Sequence, residues 1–425
     1  MAAKLMPAAP KKRRRCIGVF MPSWYATLPL PRNLPFLRLA LPQSATLCMY
    51  FPVPHPPMRK TNIIYKWLTI LALVMTLPAP AAETTSNSFT IGLFLPPDKS
   101  EAQSLKTGAE QALREYQKAG VPVQLLARGR TGQWGAESDE AAEMVLIEKA
   151  RALISPADVL TSHLLLQVAG RTRIPVISLS SQSSVTGAGI PWMAALAPDD
   201  ERQARFLFAA LGDGAYCSAG CWAVLLPEGR AGEKIKEGLQ SAAQQSGVRL
   251  APIVEAPADD AALQRAVETI VAAGPVVVLI WLPPDTAGKA VRKLRSSAFK
   301  GALAGHTLLR SPAFIESAGP AAEGMTVATW QKNQEDLSLL ERLPPAIQAD
   351  ETALYAYDAM RLLVEHFQRL PAGAKDHADF PLSAGLAGAS GRLQFDQWHR
   401  RTGNLDLQTC RQGRFQSIIS KQGKP

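Results

Sequence analysis

The run Leu179-Ser180-Ser181-Gln182-Ser183-Ser184 places four hydroxyls and one carboxamide side by side. Such groups donate and accept hydrogen bonds, which suits holding a small polar molecule more than transforming it. Catalytic serine would need a base and a strained turn, and no Gly-x-Ser-x-Gly elbow occurs. Ser297-x-x-Lys300 has the spacing of an acyl-enzyme serine–lysine pair, yet it sits in a polar link after a helix without companion motifs. Asp376-His377-x-Asp379 has metal-ligand residue types, but Gly and Pro flank it and a solvated loop is the plainer reading. His163, His306, His366 and His399 are scattered. There is no Gly-x-Gly-x-x-Gly, no phosphate loop and no His-Glu-x-x-His, so neither catalysis nor a cofactor is expected. Cys217-Ser-Ala-Gly-Cys221 is spaced to close a small disulfide loop, and because Cys410 makes a third thiol, which two of the three pair stays open.

The elements that must position these residues alternate. Phe89 to Leu95 is a short apolar run ending at Pro96-Pro97, as a buried parallel strand would. Leu105 to Ala119 follows with helical spacing and stops at Gly120. Val121 to Leu126 reads as a strand, Ser138 to Ala150 as a helix opened by an N-cap serine, and Ala152 to Ile154 as a strand. A helix over Ser162 to Ala169 and a strand over Pro175 to Ser178 complete the first set. After Pro198-Asp199-Asp200 the pattern restarts: helix Glu201 to Leu211, strand Trp222 to Leu226, helix Ala231 to Ser246, strand Val248 to Ile253. Helix Ala261 to Ala273, strand Pro275 to Trp281, helix Thr286 to Ser296 and strand Ala302 to Ala304 continue it. Ala353 to Leu370 is expected to be the longest helix, and the tail from Gly391 reads as short antiparallel strands with a turn at Gly403-Asn404. Repeated strand–helix alternation means two consecutive α/β lobes with parallel sheets, and a ligand cleft at the carboxyl ends of their strands.

The formal charge of +10 on 425 residues is a property of the leader. Residues 1–81 hold eleven Lys or Arg and no Asp or Glu, leaving 35 basic against 36 acidic residues beyond them. A nearly neutral body lacks the basic footprint of a nucleic-acid-binding domain. Residues 58–81 carry a basic start, an apolar run from Trp67 to Leu77 and a small-residue stretch at Pro78-Ala-Pro-Ala-Ala82, the pattern of a secretory signal peptide cut after Ala81 or Ala82. The run is short of the roughly 20 residues a membrane span needs. Residues 1–57 are Pro-rich and without periodicity, and are read as a disordered or non-native extension. Export to an oxidising compartment agrees with the disulfide reading.

Ile91-Gly-Leu-Phe-Leu95, Gly108-Ala-Glu-Gln-Ala-Leu113, Ile174-Pro-Val-Ile-Ser178, Ala197-Pro-Asp-Asp200, Ala322-Glu-Gly-Met325, Tyr355-Ala-Tyr-Asp-Ala-Met-Arg361 and Gly391-Arg-Leu-Gln-Phe-Asp396 follow one another in a telling order. The set resembles the type I periplasmic solute-binding proteins of ABC transporters, the leucine/isoleucine/valine-binding family, over Phe89 to Ser420. The resemblance implies two doubly wound lobes joined by three crossovers, one comprising 88–203 plus 331–380 and the other 204–330 plus 381–425. It implies a monomer that closes on a small-molecule ligand by a hinge and delivers it to a membrane permease.

By the same resemblance, the ligand-holding positions are Asp158 in the first loop, Ser180, Ser181, Gln182 and Ser183 in the second, and Arg230, Trp281 and Thr307 in the second lobe. Asp158 stands where small hydroxyl residues are usual, and an ionised aspartate repels a carboxylate; it is equally a helix N-cap. A tryptophan at the place of Trp281 is more often core than contact. The acidic residue that meets an amino acid's ammonium falls near His306-Thr307, so that charge is missing. A solute less zwitterionic than a branched-chain amino acid, such as an amide or an aromatic acid, fits equally. A sensor, or an accessory factor that binds a protein partner, is the alternative reading.

Overall fold

In the computed structural model the described residues are 88–129, 136–186, 190–212, 221–257, 259–297, 299–371, 373–378, 380–381 and 385–418. The extension over 1–57 and the signal segment over 58–81 therefore lie outside them.

Two sheets organise the chain. The first contains β1 (Phe89–Leu95), β2 (Val123–Gly129), β3 (Ala150–Ser155), β4 (Val176–Ser178) and β5 (Met193–Ala195), in the order β2-β1-β3-β4-β5. All its pairings are parallel. The second contains β6 (Trp222–Leu226), β7 (Leu250–Glu255), β8 (Val277–Ile280), β9 (Ala302–Gly305), β10 (Met325–Trp330), β11 (Leu405–Arg411) and β12 (Arg414–Ser417), in the order β12-β11-β10-β9-β8-β6-β7. It is parallel from β7 to β10 and antiparallel at β11 and β12. This is an α/β fold with mostly parallel sheets.

Helices cover the sheets: α1 (Lys99–Lys118), α2 (Ala136–Leu146), α3 (Val159–Thr172), the short α4 (Ser183–Thr186), α5 (Asp200–Gly212), α6 (Gly229–Ser246), α7 (Asp260–Ala273), α8 (Pro284–Ser296), α9 (Pro312–Ala318), α10 (Gln334–Glu341), α11 (Pro345–Gln348) and α12 (Glu351–Arg369). Among the described residues α1, at 20 residues, is longer than α12 at 19, contrary to the sequence expectation. It begins at Lys99 because Asp98 accepts from Glu101 N at 2.8 Å, adding a polar first turn that hydrophobic spacing does not reveal. The expected serine cap of α2 is also corrected, since Ser138 falls inside a helix that ends at Leu146.

The α12 helix is buried on nearly every side, as a helix between a sheet and a neighbouring helix must be. Its main neighbour is α1. Tyr357 OH donates to Glu115 at 2.6 Å and Tyr116 OH donates to Glu365 at 2.8 Å, so each helix sends one phenol to the other's carboxylate. The two backbones meet at Gly108, where an added Cβ would lie 2.0 Å from Ala353 O.

The chain crosses between the sheets three times. After β5 it passes to α5, which packs on α6, β10 and β11, so the first crossing is over 196–199, ahead of the expected 203/204 limit. The second follows Trp330 and leads to Leu339, Leu343 and Ile347, which join the core under the first sheet. Ala389 and Leu393 also belong to that core, and Arg400 bridges to Ala195 of β5. The third crossing therefore falls between Thr402 and Leu405, later than the expected 380/381 limit. Arg401 and Trp330 stitch the crossings together: Trp330 Nε1 donates to Leu196 O at 2.8 Å, and Arg401 donates to Leu196 O at 3.2 Å while stacking 4.9 Å from the Trp330 ring.

Candidate functional site

Each sheet reverses its strand order once, between β1 and β3 in the first and between β6 and β8 in the second. Crossovers on the two sides of a reversal lie on opposite faces of the sheet, and the loops beyond the carboxyl ends splay apart there to leave a crevice. One wall of the candidate site therefore comes from the loops after β1 and β3, the other from the loops after β6 and β8. On the first wall Glu101 Oε1 accepts from Ala157 N at 3.2 Å and joins both loops. Burial lifts this carboxyl to about 7, the Ala157 bond opposing the shift.

Asp158 caps α3, accepting from Leu160 N at 3.4 Å, Thr161 N at 2.9 Å and Thr161 Oγ1 at 2.6 Å. Its carboxylate is thereby engaged with its own helix. Beneath it, Ser162 Oγ lies 2.9 Å from both Ser155 Oγ and Ser178 Oγ, a buried relay binding α3 to β3 and β4. The relay fixes the second loop, since Ser180 N donates to Ser178 Oγ at 3.1 Å and Gln182 N donates to Ser180 Oγ at 3.3 Å. Gln182 Oε1 is buried without a hydrogen-bond partner among the described residues. Ser183 opens α4, and its side chain lies outside the described set. Ser184 Oγ is 3.1 Å from His163 Nε2 on α3.

Ser181 reaches across the crossing. Its carbonyl accepts from Asp200 N at 2.9 Å, and Asp200 Oδ1 accepts from Trp281 Nε1 at 2.9 Å. Trp281 is thus a core residue with its polar edge paired, packed 5.9 Å from the His306 ring. Burial lifts the Asp200 carboxyl to about 6 against the Ser181 and Trp281 hydrogen bonds. Thr307 is fully buried too: its N–H donates to Gln203 Oε1 at 2.7 Å and its hydroxyl is 3.2 Å from Tyr355 OH. Gln203 Nε2 donates in turn to Pro198 O at 2.7 Å in the first crossing. His306 donates to Leu282 O at 2.9 Å, and burial pushes its imidazole down to about 4.

Arg230 is exposed in the first turn of α6. The imidazole of His163 is held below its ordinary range by burial and then by the Arg230 charge. The structure therefore brings together the second loop, Asp200 and Trp281 in one network, sets Thr307 in another, and leaves Arg230 on the open face. Cys217 lies outside the described residues; Cys221 is half-buried at the start of β6, and Cys410 is buried in β11 with its thiol pushed up to about 11 by burial.

Sequence reasoning passed over His163, Asp200 and Gln203. His163 stood among unpartnered histidines, although its place five residues after an N-cap aspartate puts it near the mouth of the first loop. Gln203 carried no signal, since its partner Thr307 is 104 residues away. The arrangement is one of fixed donors and acceptors. Among the described residues no group of three or more His, Cys, Asp or Glu could hold a metal ion.

The sequence model of the family described as periplasmic binding protein matches residues 91–390. The chain belongs to this family. Solved structures of the same fold include a leucine-binding protein from Thermotoga maritima, 18% identical, with a TM-score of 0.66 over 78% of this chain and 98% of that one. A branched-chain amino acid transporter substrate-binding protein from Streptococcus pneumoniae in complex with isoleucine is 16% identical, with a TM-score of 0.66 over 78% and 99%. An ABC transporter solute-binding protein from R. palustris in complex with benzoate is 17% identical, with a TM-score of 0.67 over 78% and 95%. No curated protein matches the chain. Among the described residues no helix is long and apolar enough to cross a membrane.

Proposed function

We propose that this periplasmic binding protein is the substrate-binding component of an ABC importer. It is exported through the signal segment over 58–81, traps one small polar solute between its lobes by hinge closure, and presents the closed form to a membrane permease. It performs no chemistry on the solute. The observation that carries this reading is the strand-order reversal in each of the two sheets together with the hydrogen bonds from Ser181 through Asp200 to Trp281, which join the loop after β4 to the end of β8. Ser180, Ser181, Gln182 and Ser183 supply hydrogen bonds to the solute; Arg230 covers it on closure; Asp158, Trp281 and Thr307 hold the walls in place.

A solute that binds only the folded protein raises its stability by RT ln(1 + [L]/Kd), about 4 kcal/mol for a micromolar ligand at millimolar dose. A thermal-shift screen of the purified protein against amino acids, amides, aromatic acids, polyols and small alcohols tests the reading. A clear, saturable shift with one chemical class supports it. A well-folded protein that responds to none overturns it in favour of a partner-binding accessory role.

A further inference from the structure

The turn over Thr307–Leu309, which follows β9, is shared between two cores: Leu309 packs under the second sheet, whereas Leu308 lies against the core of the first. Arg310 comes next and meets the start of α12. Its Nη1 donates to Glu351 Oε2 at 2.9 Å, its Nη2 donates to Gln348 O, and its own carbonyl accepts from Glu351 N at 2.8 Å. Three residues before Arg310, the Thr307 hydroxyl is 3.2 Å from Tyr355 OH, one turn further along α12. Arg310 is 8% exposed and Glu351 0%, so the ion pair is closed to water.

The two sides of this seam come from the ends of the sheets that face the crevice. Arg310 belongs to the loop at the carboxyl end of β9. Helix α1 leaves the carboxyl end of β1, and α12 runs parallel to it, since Gly108 meets Ala353, Glu115 meets Tyr357 and Tyr116 meets Glu365 in ascending order. The first turn of α12 is therefore at the carboxyl end of the first sheet, in contact with the carboxyl end of the second. A rotation about the three crossings that widens the crevice draws these ends apart. A buried arginine cannot lose its carboxylate and stay dry, so the seam has two arrangements: shut with the pair formed, or open with both charges in water.

We infer that Arg310, Glu351, Thr307 and Tyr355 form a latch between the lobes, shut in this structure, that must break for the crevice to open. Thr307 then serves the latch and not the solute. While the latch is shut the crevice admits nothing, so its strength sets the fraction of unliganded protein able to take up a solute. This goes beyond the solute-binding reading, because it concerns the arrangement of the lobes without solute.

The test uses no solute, so its failure is distinct from a failure of solute binding. Both the backbones and the side chains of Arg310 and Glu351 meet, which is the proximity a disulfide needs. Small-angle scattering of the unliganded protein is compared for wild type, Arg310→Gln, and the double variant Arg310→Cys with Glu351→Cys in its oxidised and reduced forms. Wild type with and without the same reductant controls for Cys217, Cys221 and Cys410. Loss of the pair should move the shut-to-open ratio about 10- to 100-fold toward open, the range for a hydrogen bond to a charged group. The reduced double variant and Arg310→Gln should therefore have a larger radius of gyration than wild type, and the oxidised double variant a radius no larger than wild type. The reduced and oxidised forms of the double variant are one sequence, so the comparison stands even where Arg310→Gln fails to fold. A folded reduced form with the radius of the oxidised form overturns the inference, as does a wild type with the radius of the reduced form. A cysteine pair that does not oxidise also overturns it, because the two residues then do not meet in solution. A reduced form that unfolds outright assigns the pair to folding and overturns the latch.

Discussion

The indole Nε1 of Trp330 donates to the carbonyl of Leu196 at 2.8 Å and so ties the second crossing between the sheets to the first. Arg401, from the third crossing, donates to the same carbonyl and stacks on the same ring. Three separate segments of chain between the sheets are thus tied together at one carbonyl and one indole ring. Trp330→Phe keeps an aromatic ring but loses the indole N–H and part of the buried ring volume, so it should cost about 2 kcal/mol. Arg401→Met also abandons the acceptors on Ser390, Gly391 and Arg392, and should cost about 3 kcal/mol or more, as removal of a buried charged partner does. Urea denaturation at neutral pH checks the ranking, and equal costs would contradict it.

Gly108 marks the closest approach of α1 to α12. A Cβ there would sit 2.0 Å from Ala353 O, against backbone that cannot turn aside. Gly108→Ala should therefore destabilise by about 3 kcal/mol, the upper part of the overpacking range, despite the better helix propensity of alanine. The denaturation midpoint of the variant measures it.

Asp158 acts first on its own helix. Asp158→Ala should lower stability by about 1 kcal/mol, whereas Asp158→Asn, which can still accept from Thr161 N, should lose only a fraction of that. Equal losses in the two variants would show that the charge, and not the cap, is what matters at this position.

Asp200 predicts a pH dependence with a definite sign. Its carboxyl is lifted from an ordinary value near 3.8 to about 6, chiefly by burial. Between those pH values the native protein holds a proton that the unfolded chain has released, so this group's contribution to stability falls as pH rises from about 4 to about 6. Glu101, lifted to about 7, acts in the same direction. His306, lowered from 6.5 to about 4, acts oppositely, since it loses stability as pH falls through that window. The useful quantity is therefore a difference: Asp200→Asn relative to wild type should gain about 1–3 kcal/mol between pH 4 and pH 7. A pH-independent difference would contradict the burial of an ionisable carboxyl there.

The alternation of strands and helices was legible because apolar runs and helical faces are local. β5 was not, since Met193–Ala195 is three residues long and is defined by pairing with β4. Strand β2 begins at Val123, later than expected, because Pro122 has no N–H to give and contributes only a carbonyl to Phe89. The crossing limits shifted because Ala389 and Leu393 reveal their core only in three dimensions. Within the site, the hydroxyl loop and the position of Trp281 at a strand end could be read from the chain. That Trp281 gives its N–H to Asp200, 81 residues away, and that Thr307 is sealed by Gln203 and Tyr355, could not, because burial of a polar group is decided by partners distant in sequence.

The central claim is that a small solute draws the two lobes together. Small-angle scattering of the purified protein, alone and saturated with the solute giving the largest thermal shift, tests it most directly. The account predicts a smaller radius of gyration in the bound state, with saturation at one solute per chain. A solute that binds tightly while the radius stays unchanged would contradict hinge closure at this crevice.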